Sequence, residues 1–265
     1  MVNIAPDNAY GLSLRTPVMT AAGCFGFGSE YAERVELAHI GAIVTRPIAQ
    51  RAGGDATYLG EVPSGLIWRG GSNSAFDWVV SRHLGRWSAW STPVILALAD
   101  DHVAIARALE GLAGIAGIEV LIPGDARHAA RLISAIRGVS LLPVLAKLFI
   151  HDGARDTARA AVEAGADALT VCAAPAASHW CPRRRAFMHG RLIGPAVLPL
   201  LLASLADLAA HVHVPLIASG GIVDLAGAQH CLAAGAHALQ LGSVLLSDPH
   251  AAARIGAALT MPPTE

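Results

Sequence analysis

The feature that most constrains this chain is a count. Short apolar runs rich in β-branched residues recur eight times behind a turn signal: PVMTAAG from Pro17, GAIVT from Gly41, PVILAL from Pro93, GIEVLI from Gly117, LPVLAKL from Leu142, ADALTVC from Ala166, VPLIASGG from Val214 and HALQLGS from His237. Between most of them lie segments such as Ala126 to Arg137 and Arg155 to Ala164, where Ala, Leu, Ile and Val recur at helical three- and four-residue spacing. A helix after each strand returns the chain to the same edge, so successive strands pair in parallel. Eight such units close as a (β/α)8 TIM barrel, and 265 residues suit one undivided domain, 1–265. The alternative is an open doubly wound sheet, which has fewer strands and an early GxGxxG turn. AAGCFGFGS from Ala21 imitates that turn only loosely, because Gly23, Gly26 and Gly28 have the wrong spacing.

Composition narrows the partner. Hydrophobic residues make up 54% and charged residues 15%, which suits a sheet buried on both faces. A net charge of -1 offers no global attraction to nucleic acid or an anionic membrane, so a small-molecule substrate is expected. The longest apolar stretch, Val197 to Ala206, is interrupted by Pro199 and Ser204 and closed by Asp207, short of the roughly 18 residues a membrane helix requires. The opening MVNIAPDNAYGL has neither the basic nor the apolar part of a signal peptide, and a cytoplasmic location is expected. Cys24, Cys172, Cys181 and Cys231 form no CxxC pair; reduced thiols and no metal site are the expectation.

Two connections break the short pattern and read as lid-like excursions over the barrel mouth. One runs over about 46–92 and contains GGDATYLGEVPSGLIWRGGSN; the other, 173–191, is AAPAASHWCPRRRAFMHGR. Barrel active sites assemble at the C-terminal ends of the strands. There, Gly220 and Gly221 in ASGGIVD and Gly242 and Ser243 in QLGSVLLSD allow close backbone approach, with helix N-termini beyond them, and together predict a phosphate site. The plainer reading is that these glycines relieve tight turns. Lys147 closes an apolar strand, where a cation is costly unless it meets a negative group or an electron-rich ring; otherwise its head snorkels to water. Ala21, Ala22 and Gly23 offer bare backbone for a flat ring, and Thr45-Arg46 brings a fixed cation to the same rim.

TAAGCFGFGSEY, GAIVTRP, LPVLAKL, EAGADALTV, GRLIGPA, PLIASGGI and LAAGAHALQLGSVLLSDP, in this order, resemble class 1 dihydroorotate dehydrogenases, FMN enzymes built on a (β/α)8 barrel. The resemblance runs from about Tyr10 to Ala258. It implies FMN with its phosphate on Gly220, Gly221, Gly242 and Ser243, and its ring over Ala21, Ala22 and Gly23 near Thr45, Arg46, Lys147 and Gly194. Lys147 would then sit beside the ring, where positive charge favours electron uptake. A homodimer, and an electron-transfer or paralogous subunit, are the partners the family suggests.

The departures fall on the substrate side. Where the family keeps an Asn-x-Ser-Cys-Pro-Asn-like motif with its proton-abstracting cysteine, this chain has Val120, Leu121, Ile122, Pro123, Gly124 and Asp125. A Gly-Leu-Gln-Asn-Pro-Gly-like turn becomes GLIWRGG, with Trp68 and Arg69 as candidate substrate contacts. Asn-Thr becomes Cys172-Ala173, and Gly-Gly-Leu-Ser-Gly-Pro becomes Gly190-Arg191-Leu192-Ile193-Gly194-Pro195. Losing several amide partners at about 1–3 kcal/mol each, and a base worth roughly two to four orders of magnitude in rate, points to altered or lost dihydroorotate activity.

Replacement chemistry has few candidates. Cys172 is the best-placed thiol, or a small apolar filler. His179 and Cys181 are acid or base candidates in the second excursion. Arg183, Arg184 and Arg185 clamp an anion or form a solvated turn, and Glu61 and Asp125 read as structural. The expectation is an FMN-dependent oxidoreductase acting on CH-CH bonds, with Lys147 and Cys172 at its centre. The alternatives are a non-catalytic FMN-binding paralogue and a flavin-free phosphate-binding isomerase or synthase.

Overall fold

The computed structural model describes residues 1–55 and 57–260. A short antiparallel hairpin of β1 (Val2–Asn3) and β2 (Ser13–Leu14) precedes the barrel. The first two barrel strands are β3 (Val18–Thr20) and β4 (Ile43–Val44), and then come β5 (Ile48–Ala49), β6 (Tyr58–Val62), β7 (Gly65–Arg69), β8 (Ser74–Ala75) and helix α1 (Phe76–Trp87). Strand–helix alternation follows with β9 (Val94–Leu98), α2 (His102–Leu109), β10 (Gly117–Leu121), α3 (Ala126–Arg137), β11 (Val144–Phe149), α4 (Ala154–Glu163) and β12 (Ala168–Cys172). A hairpin of β13 (Ala176–Cys181) and β14 (Ala186–Ile193) leads to α5 (Leu198–Ala209), β15 (Leu216–Ser219), α6 (Leu225–Ala233), β16 (Ala238–Leu241) and α7 (Ala251–Thr260).

All eight apolar runs become barrel strands. Parallel pairing runs β3-β16-β15-β12-β11-β10-β9, with β4 on the other side of β9. The parallel bridge between Met19 and Ala42, with the Thr20 amide donating to the Ala42 carbonyl at 3.1 Å, joins β4 back to β3 and closes the ring. Every second side chain points inward. Met19, Ile95, Leu145, Ala168, Ile217 and Ala238 fill the lower interior, plugged from beneath by Ile4, Leu12 and Leu14 of the N-terminal hairpin. The alternate positions, among them Val18, Ile118, Ala146 and Leu239, pack outward against Ile105, Ile133 and Leu201 of the helices. Asp125 and Asp224 cap α3 and α6, accepting from the amides of His128 at 2.9 Å and Gly227 at 2.8 Å.

Two features were not legible locally. The first strand-to-strand connection holds turns and a 3-10 turn at Leu37–His39 in place of an α-helix, pinned by buried Phe25 and Phe27. The two excursions are one structure: β13, β14, β7 and β6, in that order, form an antiparallel sheet. Its joining register pairs Arg191 with Trp68, Leu192 with Ile67 and Ile193 with Leu66. The rest of 46–92 is not lid, since α1 is the helix of the second barrel unit and β5 and β8 extend the main sheet beside β9.

Candidate active site

The C-terminal barrel mouth opens into a cleft whose floor is set by the inward-pointing positions. Lys147 on β11 stands opposite Leu121 of β10 and Thr170 of β12 in the ladder. Its ammonium donates to Glu119 Oε1 at 3.2 Å and to Gln240 Oε1 at 2.9 Å. The Thr170 hydroxyl donates to Glu119 Oε2 at 3.1 Å, and the Gln240 amide also donates to that oxygen. Four strands thus contribute to one buried polar network in which the carboxylate and the ammonium satisfy each other. Burial works against the Lys147 charge, but Glu119 together with the nearby Cys172 and Cys24 holds its pKa above the ordinary lysine value. Lys147 is therefore a cation at every physiological pH. Glu119 was not singled out in the sequence, where GIEVLI reads only as an apolar strand. Its signal is the strand register, which sets it one inward step below the level of Lys147.

The walls divide by chemistry. Ala21, Ala22, Gly23, Gly220, Gly221, Gly242 and Ser243 line one side. Gly220 and Gly221 have φ of +133° and +72°, and a Cβ on either would lie 2.6 Å from a backbone atom, the Ala173 carbonyl oxygen or the Leu198 amide nitrogen. Among the described residues, the amides of Gly220, Gly221, Gly242 and Ser243 find no acceptor in the protein. The other side carries Leu98, Leu121, Phe149, Trp68 and Ile193.

Of the residues expected from sequence, Ala21, Ala22, Gly23, Lys147, Cys172, Gly220, Gly221, Gly242, Ser243 and Trp68 come together on this cleft. Four do not line it. The Thr45 hydroxyl is buried, donating to the Arg46 carbonyl at 3.0 Å and accepting from the Ala97 amide at 3.3 Å. Arg46 turns to the Ser72 hydroxyl at 2.7 Å. Arg69 alternates with Trp68 along β7, so it points to the opposite face of the sheet and is exposed. Gly194, at φ +116°, makes the turn where β14 passes Gly65. His179 and Cys181 lie on β13 away from the cleft, with His179 hydrogen-bonded to Tyr58 at 2.5 Å.

Comparison with known proteins bears on the whole of this architecture. The family model described as dihydroorotate dehydrogenase matches residues 5–261. The catalytic subunit of dihydroorotate dehydrogenase B (NAD(+)) from Desulforudis audaxviator (strain MP104C) is 34% identical, the match covering 96% of this chain and 91% of the relative. The corresponding subunits of Geotalea uraniireducens (strain Rf4) and Cutibacterium acnes (strain DSM 16379 / KPA171202) are 33% and 30% identical, each over 92% of this chain and 88% of their own length. This chain belongs to the dihydroorotate dehydrogenase family. Its barrel is the family's barrel, and FMN is the family's cofactor.

The residues present fit that group. Four acceptor-free amides on the ends of β15 and β16 match a phosphate, the small side chains of Ala21 and Ala22 leave room for a flat ring, and Lys147 lies on the cleft floor. The end of β10 is the corner where the sequence resemblance would place the family's base. At the end of β10 only Leu121 lines the cleft; Pro123 and Gly124 lie outside it, exposed. The Gly124 carbonyl accepts from the Thr157 hydroxyl at 2.9 Å, which ties the turn outward to α4. Two thiols line the cleft as well. Burial pushes Cys24 up to about 11 and raises Cys172, in the latter against the Lys147 charge and a hydrogen bond from Ser219.

Proposed function

We propose that this protein is an FMN-dependent oxidoreductase of the dihydroorotate dehydrogenase family that acts on a small compound other than dihydroorotate, its dihydroorotate activity altered or lost. The observation that carries this reading is the apolar outer wall: Leu121 stands at the end of β10, and the carboxylate that strand does bring to the cleft, Glu119, lies below it and is occupied by Lys147, Thr170 and Gln240. Bound FMN supplies two-electron chemistry. The chain's own part is to hold the phosphate on the amides of Gly220, Gly221, Gly242 and Ser243, and to set the Lys147 cation on the cleft floor. Cys172 and Cys24 remain thiols at neutral pH because burial disfavours their thiolates, so neither replaces a base without a change in its surroundings. Trp68 is the candidate substrate contact from the first excursion.

The relatives are named catalytic subunits of an NAD(+)-linked enzyme, which supports a companion subunit as the electron partner, alongside a second copy of this chain in a homodimer. Among the described residues no helix is long and apolar enough to cross a membrane. A second reading, a flavin-binding subunit that pairs with an intact paralogue, is favoured by one observation. At the free end of the β13–β14 hairpin, Trp180 and Phe187 pack edge to face at 5.4 Å while remaining 51% and 62% exposed.

The test is the visible spectrum. The purified protein is expected to bind FMN and be yellow, and anaerobic mixing with dihydroorotate is expected to leave the flavin absorption in place. Rapid bleaching would overturn the proposed loss of dihydroorotate chemistry. A colourless protein that fails to take up added FMN would overturn both readings and favour a flavin-free phosphate-binding barrel.

A further inference from the structure

Arg191 is a half-buried cation without a counter-ion. It lies on β14 two residues before Ile193, so both point to the same face, and its ladder partner is Trp68. Ile193 and Trp68 line the cleft, which puts Arg191 on the cleft side of the excursion sheet. Its guanidinium is stacked on the Phe149 ring, Cζ 3.3 Å from the centroid, and Nη1 donates to the Ala174 carbonyl at 2.8 Å. Phe149 and Ala174 are themselves cleft-lining residues. Among the described residues no carboxylate pairs with Arg191. Burial lowers its pKa, with Cys172 opposing, yet a guanidinium stays protonated in proteins and presents five N–H donors, of which one bond to the protein is made here.

An uncompensated charge beside an apolar wall is costly to maintain. The cleft's own carboxylate does not relieve it, because Glu119 sits below, occupied by Lys147, Thr170 and Gln240. The outer wall around Arg191 is Trp68, Leu121, Phe149 and Ile193, with no acid among them.

We propose that the outer half of the cleft takes a flat, apolar carboxylate, its carboxylate group held by Arg191 and its apolar body lying against Trp68, Leu121 and Phe149. This rests on the preceding reading, in which FMN fills the glycine-lined half, and names the substrate class for that same site. A planar guanidinium matches a carboxylate through two parallel hydrogen bonds, and the Phe149 stack already fixes its plane. A ring ringed with amide and carbonyl groups fits badly: each group facing Leu121 or Phe149 would lose its partner in water at about 1–3 kcal/mol. An aryl or alkenyl carboxylate presents no such groups to the wall.

The test uses the FMN-loaded full chain and two probes of nearly equal shape, cinnamate and its neutral amide, titrated while the flavin spectrum is followed. Cinnamate is expected to bind about ten- to a hundredfold more tightly than cinnamamide. Arg191→Gln is expected to erase that preference and Arg191→Lys to keep part of it, with thermal unfolding and FMN content checking that each variant is folded. Equal binding of the two probes, no binding of cinnamate at millimolar concentration, or an undiminished preference in Arg191→Gln would each overturn the proposal. Failure of the functional reading shows elsewhere. Bleaching by dihydroorotate refutes that reading while the two probes still judge Arg191, and on a colourless protein calorimetry with the same probes judges it directly.

Discussion

The two walls of the cleft are built from the same barrel but by opposite means. At the ends of β15 and β16, recognition is backbone: Gly220, Gly221, Gly242 and Ser243 hold amides with no acceptor among the described residues. Across the mouth, at the ends of β10 and β11, recognition is side chain, and the side chains are Leu121 and Phe149. At Gly220 and Gly221 the backbone cradle depends on positive φ angles that glycine adopts without strain, so it is hard to repurpose. A side-chain wall changes by single substitutions without touching the barrel. On the proposed function, that difference is how one half of the site keeps its flavin while the other half takes a new substrate.

The network under both walls gives the largest expected effect. Lys147→Met removes the cation and leaves Glu119 buried with only Thr170 and Gln240, at a cost of about 3–5 kcal/mol measured by urea unfolding. Adding Glu119→Gln is expected to recover most of the loss, since the uncompensated charge disappears with it. The pH dependence follows in sign. The folded pKa of Lys147 is raised, so its contribution is complete below the unfolded value of about 10.4 and is lost as pH rises through the higher folded value. A difference between wild type and Lys147→Met that collapses between about pH 6 and 9, well under the lysine value, would show that the pair does not hold the network under the walls.

How much of this was legible in the sequence follows from the range of the interactions. The eight strands were readable because each carries its own local signal, a turn and a β-branched run, followed in most cases by a helical period. The glycine wall was readable for the same reason, since SGG and LGS carry their conformation locally. Glu119 was not, because its partners Lys147, Thr170 and Gln240 come from three other strands and only the register brings them together. The joining of the two excursions was equally hidden, since Trp68 meets Arg191 across nearly half the length of the chain. Thr45 and Arg46 sit at a strand end, where sequence predicts the mouth, but whether a side chain turns inward there depends on neighbours such as Ala97 and Ser72.

Gly221→Ala probes the backbone wall alone. At φ +72° an alanine costs about 1–2 kcal/mol, and its Cβ would lie 2.6 Å from the Leu198 amide nitrogen, forcing the turn to shift. FMN affinity is expected to fall about tenfold or more, read as flavin lost on gel filtration, with the barrel still folded. Undiminished FMN retention would mean the cradle is not the phosphate site, and the contrast between the walls would fail on that side.

The smallest expected effect tests the other wall. Gly124→Cys puts a thiol into the Pro123-Gly124 turn, where the sequence resemblance would place the family's base. The substitution fits: the nearest atoms to the new Cβ belong to the His151 ring at 3.5 to 3.8 Å, ordinary contact. That same geometry argues that it restores nothing. The Cβ points toward His151 in the loop after β11, and neither Gly124 nor His151 lines the cleft. A thiol placed there faces away from the substrate space, on a turn that Thr157 holds to α4. Dihydroorotate is therefore expected to bleach the flavin of Gly124→Cys no faster than that of the parent in stopped flow. If bleaching rises by the roughly two to four orders of magnitude a positioned base is worth, the apolar wall is an intact orotate site lacking one atom, and the two walls differ far less than their side chains suggest.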